Sequence, residues 1–153
     1  MIASTLLRAA VPGDLDRLAE LERLCFPDPW PIHLVGQELR NPGTLILVAE
    51  AGPEAGPQAP VAGYASFRQG GGEAELLRLA VDPAARRRGL ARALIDAGLV
   101  RLRPAGVERC FLEVRPDNEP AIACYLAMGF RYAGRRPGYY RDGTDAMVYA
   151  RTL

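Results

Sequence analysis

The sequence predicts one α/β domain built around a mixed β-sheet. A chain of 153 residues, of which 49% are hydrophobic, is long enough for one ordinary domain with a core and short for two. Strand-like and helix-like segments follow one another in the order βααβββαβαββ. Because the chain shows no internal repeat and no interdomain linker, we expect residues 1–153 to form a single domain.

Helical periodicity and proline breaks organise the first part of the chain. Leucines recur at helical spacing from Leu15 to Leu24, after a Pro-Gly-Asp turn that opens the helix. The segment 26–31 contains three prolines, each of which lacks an N–H, so the helix cannot continue through it. The predicted elements are a strand over 4–9, a helix from 12 to 25, a helix over 32–40 and a strand over 45–49.

Turn residues divide the rest of the chain into shorter elements. The Gly- and Pro-rich stretch 52–60 has no periodicity and predicts a surface loop, whereas three glycines at 70–72 predict a hairpin turn. The predicted elements are strands over 61–69 and 73–81, a helix over 89–102, a strand over 109–114, a helix from Asn118 to Gly129, and strands over 130–136 and 146–152.

The cysteine and histidine content argues against a metal centre. Cys25, Cys110 and Cys124 are far apart and form no C-x-x-C pair, which fits free thiols in a reducing cytoplasm. His33 is the only histidine, and we expect a surface helix residue rather than a catalyst there. The sequence therefore predicts no metal cofactor.

Charge and hydropathy narrow the possible partners. The net charge is +1, although all nineteen basic residues are arginines, so nothing indicates direct nucleic-acid binding. No apolar run approaches the roughly 20 residues of a membrane-spanning helix, and the N-terminus lacks the pattern of a signal peptide. We expect a cytoplasmic protein, a monomer or weak dimer, with no membrane association.

An arginine-rich loop before the third helix predicts a phosphate site. The strand ending at Val81 is followed by Arg86-Arg87-Arg88-Gly89-Leu90-Ala91. Backbone N–H groups at a helix N-terminus carry partial positive charge, and a glycine lets a phosphate approach them closely. Arginines add charge-assisted contacts. A solvated basic turn is the alternative interpretation, and both remain open on the loop alone.

Several further motifs occur in a fixed order around this loop. They are Cys25-Phe26-Pro-x-x-Trp30, Leu79-Ala80-Val81-Asp82-Pro83, Leu112-Glu113-Val114-Arg115-x-x-Asn118, Ala121-Ile122-Ala123-x-Tyr125-x-x-x-Gly129-Phe130, and Tyr139-Tyr140 before Asp145-Ala146. With Arg86-x-x-Gly89-x-Ala91, they resemble the GNAT superfamily of acetyl-CoA-dependent N-acetyltransferases, and most closely its bacterial ribosomal-protein alanine N-acetyltransferases, the RimI group. The resemblance extends from about Leu6 to Val148.

The resemblance implies acetyl-CoA as co-substrate. The residues it places at that site are Leu79, Ala80, Val81, Arg86, Arg87, Arg88, Gly89, Leu90, Ala91, Arg92 and Asn118. The backbone of 79–81 would pair with the pantetheine arm like an added strand, if the sheet splays there. Arg78 departs from the family pattern, in which a smaller or neutral residue is common, and it leaves the acceptor pocket undefined.

Glu113 and Tyr125 are the candidate catalytic residues. Alternation along 110–114 places Glu113 on the face of Phe111, opposite Cys110, and spacing alone favours a solvent-facing carboxylate over one in a cleft. By its spacing Tyr125 is a core aromatic, and Asn118 is a helix cap. The resemblance makes Glu113 the general base, acting through water, and Tyr125 the proton donor to the CoA sulfur.

The acceptor is less defined than the donor. The resemblance places Phe26, Trp30, Tyr139 and Tyr140 around the substrate N-terminus, although the tyrosines could be ordinary hairpin aromatics. Cys124 is expected to point elsewhere on its helix. An α-amino group has a pKa near 8 and is roughly a tenth uncharged at neutral pH, against under ~0.1% of a lysine, so one modest base favours an N-terminus.

The preferred hypothesis is acetyl transfer to the N-terminal α-amine of a protein, in particular the N-terminal alanine of a small-subunit ribosomal protein. Another GNAT activity, on a small amine, an antibiotic or a lysine, is the nearest alternative. A non-catalytic acetyl-CoA sensor is a second alternative. An RNA-binding module that uses the arginine-rich loop is disfavoured by the low net charge and the lack of an aromatic platform.

Overall fold

The computed structural model describes residues 6–50 and 60–153, and its element order is the predicted one. The elements are β1 (Leu7–Ala9), α1 (Leu15–Cys25), α2 (Ile32–Arg40), β2 (Thr44–Glu50), β3 (Val61–Gly70), β4 (Glu73–Val81), α3 (Leu90–Leu102), β5 (Arg109–Val114), α4 (Glu119–Ala127), β6 (Arg131–Arg136) and β7 (Ala146–Thr152). The start of the predicted first strand and most of the predicted loop 52–60 lie outside the described residues.

All seven strands belong to one mixed sheet, in the order β1-β2-β3-β4-β5-β7-β6. Neighbouring strands are antiparallel except β4 and β5, which α3 connects as parallel neighbours. The predicted mixed α/β sheet is thereby confirmed.

The two faces of the sheet bury two separate cores. α1 and α2 cover one face, where Leu18, Leu21 and Val35 pack against Tyr64 and other strand residues. α3 covers the other face with Leu90, Leu94, Ile95, Leu99 and Leu102. The start and end of that helix are set by Gly89 and the turn after Leu102. Leu24, by contrast, is half exposed at the end of α1.

The pairing of β4 with β5 ends early. It runs from Glu73 opposite Arg109 to Leu76 opposite Leu112, although both strands continue beyond these residues. On its other edge β4 contains an irregularity, since Ser66 of β3 lies opposite Arg78 while the adjacent Phe67 lies opposite Leu76. Bulges of this kind increase local twist. The sheet therefore opens between β4 and β5 at their carboxyl ends.

A glycine on α3 determines how closely that helix approaches the sheet. A Cβ added to Gly98 would lie 2.3 Å from the ring of Phe67, whereas a Cβ on Gly36 of α2 would meet Arg40 at 3.4 Å and Leu15 at 3.8 Å. Both glycines lie within helices, so the relevant difference between them is the space available for a Cβ atom.

Gly98→Ala should destabilise the fold by about 1–3 kcal/mol, because the methyl group overpacks against a fully buried ring. Gly36→Ala is the matched control and should stabilise the fold by about 0.5–1 kcal/mol through helix propensity. Urea unfolding of both variants measures the two changes. Equal effects of the two substitutions would contradict this packing.

Candidate functional site

A cavity of about 920 Å³ opens where β4 and β5 separate. Its walls are formed by the ends of these strands, the segment after α1, the start of α3, α4 and the loop between β6 and β7. Every residue that the sequence placed at the acetyl-CoA site or the acceptor site lines this cavity, apart from Arg88. The structure therefore brings the predicted site residues together in one place.

The loop before α3 presents backbone N–H groups at one end of the cavity. Arg87 has a φ of 65° and Gly89 a φ of 76°, so two left-handed residues turn the chain immediately before the helix. Successive N–H groups in such turns converge on a concave, anion-binding surface. Asp82 holds the loop from below, where its carboxylate accepts hydrogen bonds from the Ala84 N–H at 2.9 Å and from Arg17 at 2.7 Å.

The three arginines of this loop have different positions. Arg86 donates to the carbonyl of Val81 at 3.1 Å and lines the cavity beside Arg87. Arg88 is exposed and is not among the cavity-lining residues, so its contact with acetyl-CoA stays a prediction. The left-handed Arg87 explains the difference, because it turns the chain between Arg86 and Arg88.

Beyond Leu76, the edge of β4 that faces β5 has no pairing partner on that strand within the described residues. Leu79, Ala80 and Val81 lie on this stretch and line the cavity. Their backbone groups can therefore pair with an extended ligand, as expected from the predicted splay. Asn118 caps α4 on the opposite side, where its side chain accepts from the Ala121 N–H at 3.4 Å.

Glu113 is a cleft residue rather than a solvent-facing one. Its side chain is 10% exposed, and its Oε1 lies 3.3 Å from Nε of Arg136. The interaction of Tyr139 with Glu113, followed by burial, raises the pKa of Tyr139 to about 12. The Glu113 carboxylate thus lines the cavity beside a cation, Arg136, and a phenol, Tyr139.

Glu75 was missed by the sequence analysis. It lies opposite Phe111 in the β4–β5 register, and its side chain hydrogen-bonds Glu113. Burial, followed by the hydrogen bond and the charge of Glu113, raises the pKa of Glu75 above its usual value, although Arg136 and Arg68 oppose the shift. Glu75 therefore holds its proton more tightly than an exposed glutamate does, and it lines the same cavity as Glu113. The only sequence signal was a second carboxylate on an adjacent strand, and its meaning depended on an unknown register.

Tyr125 combines the two alternative roles considered for it. It is 8% exposed, its ring packs edge-on against Phe130 at 6.0 Å, and it also lines the cavity. Burial, with smaller contributions from Cys124 and Tyr140, raises its pKa, so the hydroxyl stays protonated at neutral pH. Cys124 lines the cavity too, which corrects the expectation that it points elsewhere.

The side of the cavity opposite the tyrosines is held by a buried ionic network. Glu22 of α1 is 0% exposed and accepts hydrogen bonds from Arg78, from the Tyr64 hydroxyl and from the backbone N–H of Trp30. The guanidinium of Arg78 lies over the ring of Phe26. No pattern in the sequence indicates this network, because its members are far apart along the chain.

The comparisons with known proteins agree with this geometry. A family model described as acetyltransferase (GNAT) family matches residues 15–130. The chain belongs to this family. It is 36% identical over 150 residues to the N-alpha-acetyltransferase RimI of Mycobacterium tuberculosis, and the match covers 94% of this chain and 89% of that protein. The predicted identification as a GNAT acetyltransferase resembling the RimI group is confirmed.

Other similar proteins differ from this chain in length or have lower sequence identity to it. An uncharacterized protein of Mycobacterium leprae, ML0378, is 38% identical over 147 residues, and the chain spans only 38% of its length. The ribosomal-protein-S18-alanine N-acetyltransferase structure from Escherichia coli matches with a TM-score of 0.86 at 29% identity, covering 97% and 94% of the two chains. The fold of Arabidopsis thaliana NAA60, solved in complex with acetyl-CoA, matches with a TM-score of 0.86 at 21% identity, covering 98% and 99%.

The described residues contain no helix that is both long and apolar enough to cross a membrane.

Glu75→Gln should stabilise the protein at pH 8 and leave its stability unchanged at pH 3.5. A raised pKa in the folded state means that ionised Glu75 costs stability, and this cost is absent below its ordinary pKa of 4.5 and grows as pH rises above it. We expect a Tm increase of about 2 °C at pH 8. Glu73→Gln, at an exposed position two residues earlier, is the control. An increase in Tm that is the same at pH 8 and pH 3.5 would show that the charge of Glu75 is not its cause.

Proposed function

We propose that this protein transfers the acetyl group of acetyl-CoA to the N-terminal α-amino group of a protein. Its preferred acceptor is the N-terminal alanine of a small-subunit ribosomal protein. The observation that carries the proposal is the position of Glu113, a nearly buried carboxylate that lines a cavity between two separated strands. In this proposal residues 1–153 form a single catalytic domain that acts in the cytoplasm.

The cavity fits the shape and charge of acetyl-CoA. The turn formed by Arg87 and Gly89 would bind the pyrophosphate, and the unpaired edge at Leu79–Val81 would hold the pantetheine arm. A GNAT-fold structure solved with acetyl-CoA supports this assignment by analogy. When bound there, acetyl-CoA supplies an activated thioester.

Glu113 would accept the proton of the attacking amine. An α-amine has a pKa near 8, so at neutral pH little free energy is needed to deprotonate it. A single carboxylate is therefore sufficient as the base that forms the neutral nucleophile. Tyr139 and Glu75 both interact with the carboxylate and would orient it, and Arg136 balances its charge. A lysine acceptor would be some two pKa units harder to deprotonate, which favours the N-terminus.

Tyr125 would supply the proton that the departing thiol requires. Its phenol is protonated at neutral pH because burial raises its pKa, and it faces the same cavity as Glu113. An acid that is fully protonated can stabilise developing negative charge on sulfur by donating a hydrogen bond. Glu113 and Tyr125 thus act on opposite ends of one reaction.

The activity is tested by following CoA-thiol release with a short peptide that begins with alanine. Glu113→Gln should lower kcat/KM by about 100-fold or more, because the amide cannot accept the proton. Glu108→Gln, an exposed position at the start of β5, should leave kcat/KM unchanged. The N-acetylated twin of the peptide, a lysine peptide and spermidine serve as alternative acceptors.

Turnover on lysine or spermidine but not on the free N-terminus would overturn the acceptor assignment. Acetyl-CoA binding without turnover on any amine would instead support a sensor.

Tyr125→Phe should lower kcat by about 10–100-fold while the Kd for acetyl-CoA stays within a factor of two, because the ring packing is preserved and only the proton donor is lost. Pre-steady-state and equilibrium binding measurements separate the two quantities. Tyr132→Phe, on the exposed edge strand β6, is the matched control. A loss confined to binding would refute the assigned proton donor.

A further inference from the structure

We propose that Arg78 determines the first residue of the acceptor by filling the apolar pocket between Phe26 and Trp30. The pocket then excludes large side chains, so that only N-termini with a small first residue, such as alanine or serine, are acetylated. This inference rests on the proposed function, since it concerns the specificity of the same site.

The guanidinium of Arg78 occupies the space between the two aromatic rings. Its central carbon lies 3.7 Å from the centroid of Phe26 and 4.8 Å from the centroid of Trp30, which is the geometry of a cation stacked on π-faces. All three residues line the cavity that contains Glu113 and Tyr125. The two rings are therefore covered and cannot act as an open apolar pocket.

Arg78 is held in place by more than stacking. Its Nε lies 3.1 Å from Oε2 of Glu22, and its Nη2 bonds the other carboxylate oxygen, so the pair is bidentate. Arg78 is 15% exposed and Glu22 is fully buried. Because withdrawing the arginine would leave a buried carboxylate without its counter-charge, the side chain cannot readily swing aside for a bulky substrate.

The tyrosines that also line the cavity are engaged by charged groups. Tyr139 interacts with Glu113, and the guanidinium of Arg115 lies 4.1 Å from the ring centroid of Tyr140. The Cβ of the first residue is only two bonds from its amine, so when that amine is at Glu113 the first side chain lies close to the reacting centre. In this proposal the side chain points toward Phe26 and Trp30, where it meets the guanidinium of Arg78 instead of an open apolar pocket, so a large apolar side chain is disfavoured and a methyl or hydroxymethyl group is not.

The test compares kcat/KM for peptides that are identical except for a first residue of alanine, serine, valine, leucine or methionine. The wild-type protein should prefer alanine over leucine by at least 100-fold. In Arg78→Thr, kcat/KM for the leucine peptide should rise, so that the alanine-to-leucine ratio of kcat/KM falls at least tenfold. Because Arg78→Thr leaves Glu22 unpaired, the double variant Glu22→Gln/Arg78→Thr is measured beside it and should show the same relaxed ratio.

Arg8→Thr is the matched control. Arg8 is also ion-paired, with Asp14 and Glu50, but it does not line the cavity, so its loss should leave the alanine-to-leucine ratio unchanged. A folded Arg78 variant that acetylates the alanine peptide with an unchanged ratio would overturn the inference.

A second measurement uses the wild-type protein alone and so does not depend on the folding of a variant. Peptides beginning with alanine, 2-aminobutyrate or norvaline lengthen the first side chain by one methylene at a time, and kcat/KM should fall at least fivefold at each step. A flat series would overturn the size limit while leaving N-terminal acetylation intact. No turnover on any free N-terminus would overturn the proposed function itself, and this inference with it.

Discussion

The buried carboxylate of Glu22 constrains the part of the cavity that contains Phe26, Trp30 and Arg78. Glu22 lies in the interior of α1, and a carboxylate in such a place is tolerated only when its oxygens are hydrogen-bonded and its charge is paired. Glu22 is hydrogen-bonded by Tyr64 of β3, by Arg78 of β4 and by the backbone N–H of Trp30 in the segment after α1. It therefore links these three parts of the structure. The position of that segment over the sheet follows from this requirement, because moving it would break the hydrogen bond to the Trp30 backbone.

The two halves of the cavity are built by different means. Backbone forms the part in which acetyl-CoA is proposed to bind, through a left-handed turn at Arg87 and Gly89 and an unpaired strand edge. Side chains form the part in which the acceptor is proposed to bind, through the charged groups around Glu22 and Glu113. Backbone geometry depends little on the exact side chains present, whereas side-chain networks change with single substitutions. This division would let a family keep one donor while its members differ in acceptor.

Local chemistry made most of the fold predictable. The bounds of α2, β4, β5 and β7 agree with the predicted 32–40, 73–81, 109–114 and 146–152, because proline, glycine and capping residues mark their ends. The roles of Glu75 and Arg78 could not be predicted, since they depend on the register of β4 against β3 and β5 and on the irregularity between Ser66 and Phe67. The position of Arg88 outside the cavity lining could not be predicted for a related reason, because the left-handed Arg87 turns the chain within a continuous basic run.

The early end of the β4–β5 pairing has a thermodynamic consequence. A sheet that opens at its centre has fewer strand-to-strand hydrogen bonds and contributes less to stability than a continuous one. A ligand that fills the gap binds only the folded chain, so it raises the free energy of unfolding by RT ln(1 + [L]/Kd), or about 2.7 kcal/mol at a hundredfold excess over Kd. If acetyl-CoA is that ligand, the protein's survival against proteolysis in the cell follows the supply of its own acetyl donor.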